Sequence, residues 1–168
     1  RASEIVLLAH RIRIPFALTG FTVNTKIRII ANGGAKGMIT SDDREAFTQL
    51  VTRELSGAQV IFAELGENVQ TLARSAIAEG ATVVVAGGGD GTVNAIASVV
   101  VGTDIVLGVL PLGTLNHFAK NLGLPAEIDG ALRALAAGKT RAVDVGAVHK
   151  RSLWNNSGLV LESGRVAR

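Results

Sequence analysis

The feature that most constrains this chain is a regular alternation of short apolar runs with helical patterns. Two of the runs, 82–86 and 105–110, are apolar at almost every position rather than at every second one. Strands of this kind are buried on both faces, which is typical of a parallel sheet with helices on each side. The sequence therefore predicts an α/β fold, a three-layer α/β/α domain with a mostly parallel sheet.

The predicted elements follow one another from residue 27 to residue 160. Strands are expected at 27–31, 59–63, 82–86, 105–110, 141–148 and 152–160, and helices at 41–55, 67–79, 92–101, 115–121 and 125–137. Ser41 is the expected N-cap of the first helix, because acidic residues follow it in the first turn. In parallel sheets of this type, ligands bind beyond the carboxyl ends of the strands.

Residues 1–26 do not share this rhythm. We expect them to be a leader that is poorly ordered or derived from the expression vector, with an amphipathic helix over Glu4–Ile14 as the alternative. The apolar run Ile5–Ala9 is too short for a membrane span, and Ala95–Gly113 is interrupted by a turn and by Pro111. We therefore predict no transmembrane helix.

Composition excludes several kinds of site. The chain has no cysteine, which rules out disulfides, thiolate metal sites and a cysteine nucleophile and fits a reducing cytoplasm. Both ends are basic, with five basic residues against one acidic in 1–28 and seven against two in 133–168. Such ends could favour nucleic acid or an anionic membrane surface. Without a Lys/Arg run or aromatic platform, solvated tails and an edge strand are expected, and no nucleic-acid partner.

Glycine is the unusual residue, at 20 of 168 positions against about 7% in typical proteins. The segment Gly87–Thr92 follows a buried strand and opens a helix. Glycines let a backbone approach a ligand closely, and a helix start presents N–H groups and a positive dipole end to a phosphate. The Thr92 hydroxyl and the Asn94 amide could add donors.

Asp90 is the anomalous residue of this segment, because a carboxylate repels phosphate. It could order the loop, or meet a nucleotide hydroxyl or a magnesium-bound water. The alternative is a plain strand–helix turn in which Asp90 is a cap. Familiar nucleotide motifs are absent, since there is no G-x-G-x-x-G and the glycine spacing of Gly108–Thr114 lacks the P-loop lysine. His117 is expected to be a surface helix residue.

Two segments together, Gly87–Asn94 and Leu110–Ala119, resemble the catalytic domain of the diacylglycerol kinase and sphingosine kinase family, in the style of its bacterial lipid kinases. NAD kinases and phosphofructokinases share the first motif, whereas the second is specific to the lipid kinases. Asn32 after the first strand and Leu122–Pro125 support the resemblance. Further support comes from two segments that look like the family's crossing into its second domain, Arg141–Gly146 and Trp154–Ser157.

The resemblance implies ATP-dependent phosphoryl transfer to a lipid hydroxyl with Mg²⁺, in a cleft between this domain and a β-sandwich domain. It implies a cytoplasmic protein that meets its lipid at a membrane surface. No catalytic residue and no metal ligand is assigned. The residues expected to bind the nucleotide are Asn32, Gly88, Gly89, Asp90, Gly91, Thr92, Val93, Asn94, Gly113, Thr114 and Asn116.

The chain also departs from the family. A threonine that contacts ATP is replaced by Phe62 or Ala63. By the resemblance, most of the family's β-sandwich domain, with its general base, is expected to lie outside this sequence. We therefore expect a nucleotide-binding domain at 27–148 and the start of a truncated second domain at 149–168, and whether this chain is itself an enzyme stays open. The alternatives are an inactive nucleotide-binding module and an NAD kinase-like enzyme. Exposed C-terminal strands over Arg141–Val160, with Leu153, Trp154 and Leu159, would favour a homo-oligomer.

Overall fold

A six-stranded sheet organises the residues that the computed structural model describes, which are 7–15, 25–32, 40–138 and 140–148. In the order β3-β2-β4-β5-β1-β6, the first five strands are parallel to their neighbours and β6 is antiparallel to β1. The elements are β1 (Leu7–Pro15), β2 (Ile27–Asn32), α1 (Ser41–Glu54), β3 (Gln59–Ala63), α2 (Val69–Ala78), β4 (Val83–Gly88), α3 (Asp90–Val100), β5 (Val106–Pro111), α4 (His117–Asn121), α5 (Ile128–Ala136) and β6 (Thr140–Val148).

Helices cover the sheet on both faces. Val84 and Ala86 of β4 belong to a buried cluster with α2 and α3, whereas Val83 and Val85 belong to a second cluster with α1 and α5. All four side chains are almost fully buried, which accounts for the continuously apolar sequence of this strand. The predicted α/β/α layers and mostly parallel sheet are confirmed.

The junction between β4 and α3 is tighter than the sequence predicts. The strand was expected to end at Ala86 and the helix to begin at Thr92, with the glycines in a loop between them. Instead β4 continues to Gly88 and α3 begins at Asp90, so that Gly89 alone separates them. Gly87 and Gly88 pair with the last two residues of β5, and this ladder holds them in the sheet.

The start of α1 differs from its prediction by one residue. Thr40, not Ser41, is the N-cap, and its hydroxyl accepts a hydrogen bond from the Asp43 amide at 3.2 Å. The Asp43 carboxylate accepts the Thr40 amide in return at 3.1 Å. This reciprocal capping box satisfies two N–H groups, which a cap at Ser41 would not do.

The expected leader contains a strand. The helix proposed for Glu4–Ile14 is wrong over Leu7–Ile14, because these residues belong to β1 (Leu7–Pro15), which pairs along its whole length with β6. The partner strand lies more than a hundred residues away in sequence, so local periodicity carried no sign of it. Gly33, Gly34 and the strand expected at 152–160 lie outside the described residues. Self-association through the C-terminal strands stays a prediction.

No helix among the described residues is both long enough and apolar enough to cross a membrane.

Candidate functional site

Three neighbouring parallel strands end at the same edge of the sheet. These ends are Asn32 of β2, Gly88 of β4 and Pro111 of β5, and the ladders pair Ala31 with Gly87 and Gly88 with Pro111. The sheet thus brings together the two glycine-containing segments, which are far apart in sequence. Every residue expected to bind nucleotide lies at this edge or in the first two turns of α3.

The backbones of the two segments touch at a pair of glycines. A Cβ atom added to Gly113 would lie 2.4 Å from Cα of Gly89 and 2.9 Å from its nitrogen. Real Cβ atoms do not approach that closely, so a side chain at Gly113 would force the segments apart. This glycine is therefore required for the contact between β4–α3 and the segment after β5.

A small polar contact lies behind this glycine pair. Thr92 is 7% exposed, and its hydroxyl accepts a hydrogen bond from Nδ2 of Asn32 at 3.1 Å. A Cβ atom on Gly88 would lie 2.6 Å from that hydroxyl oxygen. Gly88 thus makes room for the Thr92 side chain, and the hydroxyl that we expected at a phosphate is directed into the protein.

Asn116 determines the shape of the segment after β5. Its backbone is left-handed, with φ 49° and ψ 44°. Its side chain accepts from the Gly113 amide at 3.0 Å and donates to the carbonyl oxygens of Gly113 and Pro111, at 2.6 and 3.2 Å. These three bonds close the loop on itself, so the amide group that we expected at the nucleotide is used within the loop.

Asp90 joins the two segments by hydrogen bonds. One carboxylate oxygen accepts the His117 amide at 3.1 Å, and the other accepts the Phe118 amide at 2.9 Å. The sequence indicates that Asp90 could order a loop but does not identify these partners. One signal in the sequence points to the turn that precedes α4: asparagine, the residue at position 116, adopts a left-handed backbone more readily than most residues.

The first turn of α3 is what remains open to a ligand. The amides of Asp90, Gly91 and Thr92 occupy the first three helical positions, where no intrahelical acceptor exists. Gly91 is exposed, and a Cβ added there meets no atom within 4 Å. Asn94 is half-buried and Thr114 is exposed, whereas Val93 is 3% exposed and lies in the core.

A charged contact lies at the end of the neighbouring strand β3. The Arg44 guanidinium binds both Glu64 oxygens, at 2.7 and 3.2 Å, and stands 5.1 Å from the centre of the Phe62 ring. The hydrogen bond from Arg44 holds the pKa of Glu64 below its usual value, and the same bond raises the pKa of Arg44. Phe62, one of the two residues expected at the position of the family threonine, therefore packs against an ion pair.

Metal-binding side chains are not clustered here. Within the described ranges, no group of three or more histidine or acidic residues could hold a metal ion. The Asp90 carboxylate is engaged by two backbone amides. Magnesium is commonly held in part by substrate phosphates. The residues at this edge of the sheet do not form a separate cluster of metal ligands.

Comparisons with known proteins agree with this architecture. Residues 26–148 match the family model of the diacylglycerol kinase catalytic domain. The "Probable lipid kinase YegS" of Escherichia coli O1:K1 is 43% identical over 81 residues, which are 46% of this chain and 27% of the relative, and the protein of that name from Shigella boydii serotype 18 gives the same values. The chain thus matches about a quarter of the length of these relatives.

A solved structure shares the fold. The crystal structure of a diacylglycerol kinase from Bacillus anthracis strain Sterne superposes with a TM-score of 0.57 at 20% identity, covering 71% of this chain and 41% of the other. At that identity the likeness concerns the fold alone. The family match extends over most of the chain, from β2 through β6, and includes both glycine-containing segments. This chain therefore belongs to the diacylglycerol kinase catalytic domain family.

Proposed function

We propose that this chain binds ATP, with the nucleotide phosphates at the first turn of α3. The observation that carries the proposal is the first turn of α3, where the amides of Asp90, Gly91 and Thr92 have no intrahelical acceptor and a Cβ added to the exposed Gly91 would meet no atom within 4 Å. Such a turn offers N–H donors and the positive end of an 11-residue helix to an anion. Asn94 and Thr114 are the side chains that we assign to the nucleotide beside it.

The reaction that we propose is transfer of the γ-phosphoryl group to a lipid hydroxyl, in a protein completed by a second domain. The acceptor oxygen bonds to the γ-phosphorus while the bond to the ADP oxygen breaks, and the hydroxyl proton passes to a base. Such transfer depends mostly on positioning and on stabilising charge. The described residues contribute the positioning of the phosphates, and we assign the base to none of them.

Family membership favours a lipid acceptor over the NAD kinase alternative. The inactive nucleotide-binding module remains a distinct hypothesis, because the match covers about a quarter of the curated relatives. A phosphoryl-transfer assay with radiolabelled ATP and diacylglycerol, ceramide or sphingosine separates the two. Label in lipid supports an enzyme, and ATP binding without label in any lipid supports a module.

Calorimetric titration of the full chain with Mg-ATP tests the site itself. Thr114→Val is expected to weaken binding, because it removes an exposed hydroxyl from the residue that follows Gly113, which touches Gly89 just before the first turn of α3. Thr52→Val is the matched control, since Thr52 is exposed near the end of α1 at the opposite edge of the sheet. Equal binding by the two variants would remove Thr114 from the site, and no binding by the parent chain would overturn the proposal.

A further inference from the structure

The short helix α4 is capped by a residue from another part of the chain. Its own N-cap residue, Asn116, makes no capping side-chain bond, because the amide is turned back to Pro111 and Gly113. The helix therefore begins without a local acceptor for its first amides. Asp90 supplies that acceptor from 27 residues away, with one carboxylate oxygen for each of two consecutive amides.

This cap lies next to the glycine contact. Gly89 precedes Asp90 in sequence and touches Gly113, which is three residues before Asn116. The segment after β5 is thus held at two points, by van der Waals contact at its start and by charged hydrogen bonds at its end. Two such points fix both the distance and the orientation of a loop relative to α3.

The cap also explains how an acidic residue can lie in an anion site. A carboxylate at the first position of α3 would repel a phosphate if it faced the same space. Here both oxygens are directed at the amides of α4, and the partial positive charge of that helix start offsets the negative charge. The amides of α3 remain available, whereas those of His117 and Phe118 are already bound.

We propose that Asp90 is a positioning residue, which sets nucleotide affinity by holding the segment Leu112–Asn116 against the start of α3 and does not itself bind the nucleotide or its metal. This inference rests on the proposed function, since it names the residue that organises the same site. It differs from a direct role in one measurable respect. A positioning residue affects ADP binding equally with and without Mg²⁺.

Amide hydrogen exchange in the full chain tests the cap directly. In Asp90→Ala, the protection of the His117 and Phe118 amides is expected to fall roughly 10- to 100-fold, since hydrogen bonds to a charged group are lost. Asp90→Asn is expected to lie between, because its amide group keeps one oxygen acceptor. Amides of β2 and β4 are expected to exchange as before. Unchanged protection at His117 and Phe118 would overturn the cap.

Calorimetry of the same variants tests positioning. Asp90→Ala is expected to bind ADP at least tenfold more weakly than the parent chain, and the factor should be the same with and without Mg²⁺. The ADP affinity of Asp90→Asn should lie between those of Asp90→Ala and the parent chain. Asp104→Ala is the charge control, because Asp104 is exposed in the turn between α3 and β5 at the far edge. Unchanged affinity despite lost protection would overturn the positioning role, as would a loss confined to the Mg²⁺ titration.

These outcomes are separable from failure of the proposed function. If the parent chain does not bind ADP or ATP, the proposed function and the positioning role both fall. The exchange result at His117 and Phe118 would then still decide whether Asp90 caps α4.

Discussion

Gly91 gives the sharpest test of whether the glycines of the site serve the fold or a ligand. It is the second residue of α3, it is exposed, and its backbone is not in the left-handed region. A Cβ atom added there meets nothing within 4 Å. Gly88 and Gly113, by contrast, are each required by a close neighbour in the protein. The fold itself therefore has no need of glycine at position 91.

The substitution Gly91→Ala should stabilise the free protein. Alanine in a helix is more favourable than glycine by about 0.5–1 kcal/mol. For a chain of this length, 1 kcal/mol corresponds to a rise in Tm of roughly 2–4 °C. The change should also weaken ATP binding by at least about 1.4 kcal/mol, or tenfold, because a methyl group would occupy the space in which a phosphate oxygen reaches the amides.

Thermal melting with and without ATP, followed by calorimetry, measures both effects. Ser75→Ala is a suitable control, because Ser75 is exposed in α2 and its replacement should raise stability slightly without changing ATP affinity. A lower Tm for Gly91→Ala would refute the structural reasoning. A higher Tm with unchanged ATP affinity would refute the assignment of the open space to phosphate.

Three further predictions concern the surroundings of the site. Thr92→Val removes a buried hydrogen bond between the Asn32 amide and the Thr92 hydroxyl, and urea unfolding should show that the free energy of unfolding falls by about 1 kcal/mol. Gly108→Ala places a Cβ 2.7 Å from a packed side chain, so we expect a loss of about 1–3 kcal/mol in the same assay with unchanged ATP affinity of the folded protein. The lowered pKa of Glu64 means that its bond with Arg44 stabilises the fold at pH values above the ordinary glutamate pKa of 4.5. This stabilisation is lost as the pH falls through the lower pKa of the folded state. In Glu64→Gln, acid unfolding followed by circular dichroism should therefore lack this pH-dependent loss of stability, and an acid profile equal to that of the parent chain would contradict the prediction.

The architecture could be predicted from the sequence because the information is local. The continuous apolar run of β4 reports burial on both faces, and helical spacing reports the layers. The Thr40 cap could also be predicted from the sequence, because Thr40 and Asp43 have the spacing of a capping box. The acidic residues of the first turn favour Ser41 as well, because it also precedes them.

The details of the site depended on contacts between distant segments. Glycines suggest a loop, yet both remain in the sheet, because Gly87 pairs with β2 and β5 and Gly88 pairs with β5. The partners of Asp90 are the backbone amides of His117 and Phe118. Because almost every residue has a backbone amide, the residue types at these positions do not identify them as partners. Composition can therefore locate this site but cannot show which polar groups are already used.

The strand pair β1–β6 has a consequence for how the chain folds. Among the described strands β6 pairs with β1 alone, and β1 meets β5 at a single register pair, Arg13 with Val106. Contacts of such long sequence separation form slowly, because loop-closure entropy is lost before they contribute. The other four strands, β2 to β5, pair with one another without either member of this pair. Shortening the chain from its N-terminus would detach β6 and leave β5, which leads into the site, as an open edge of the sheet.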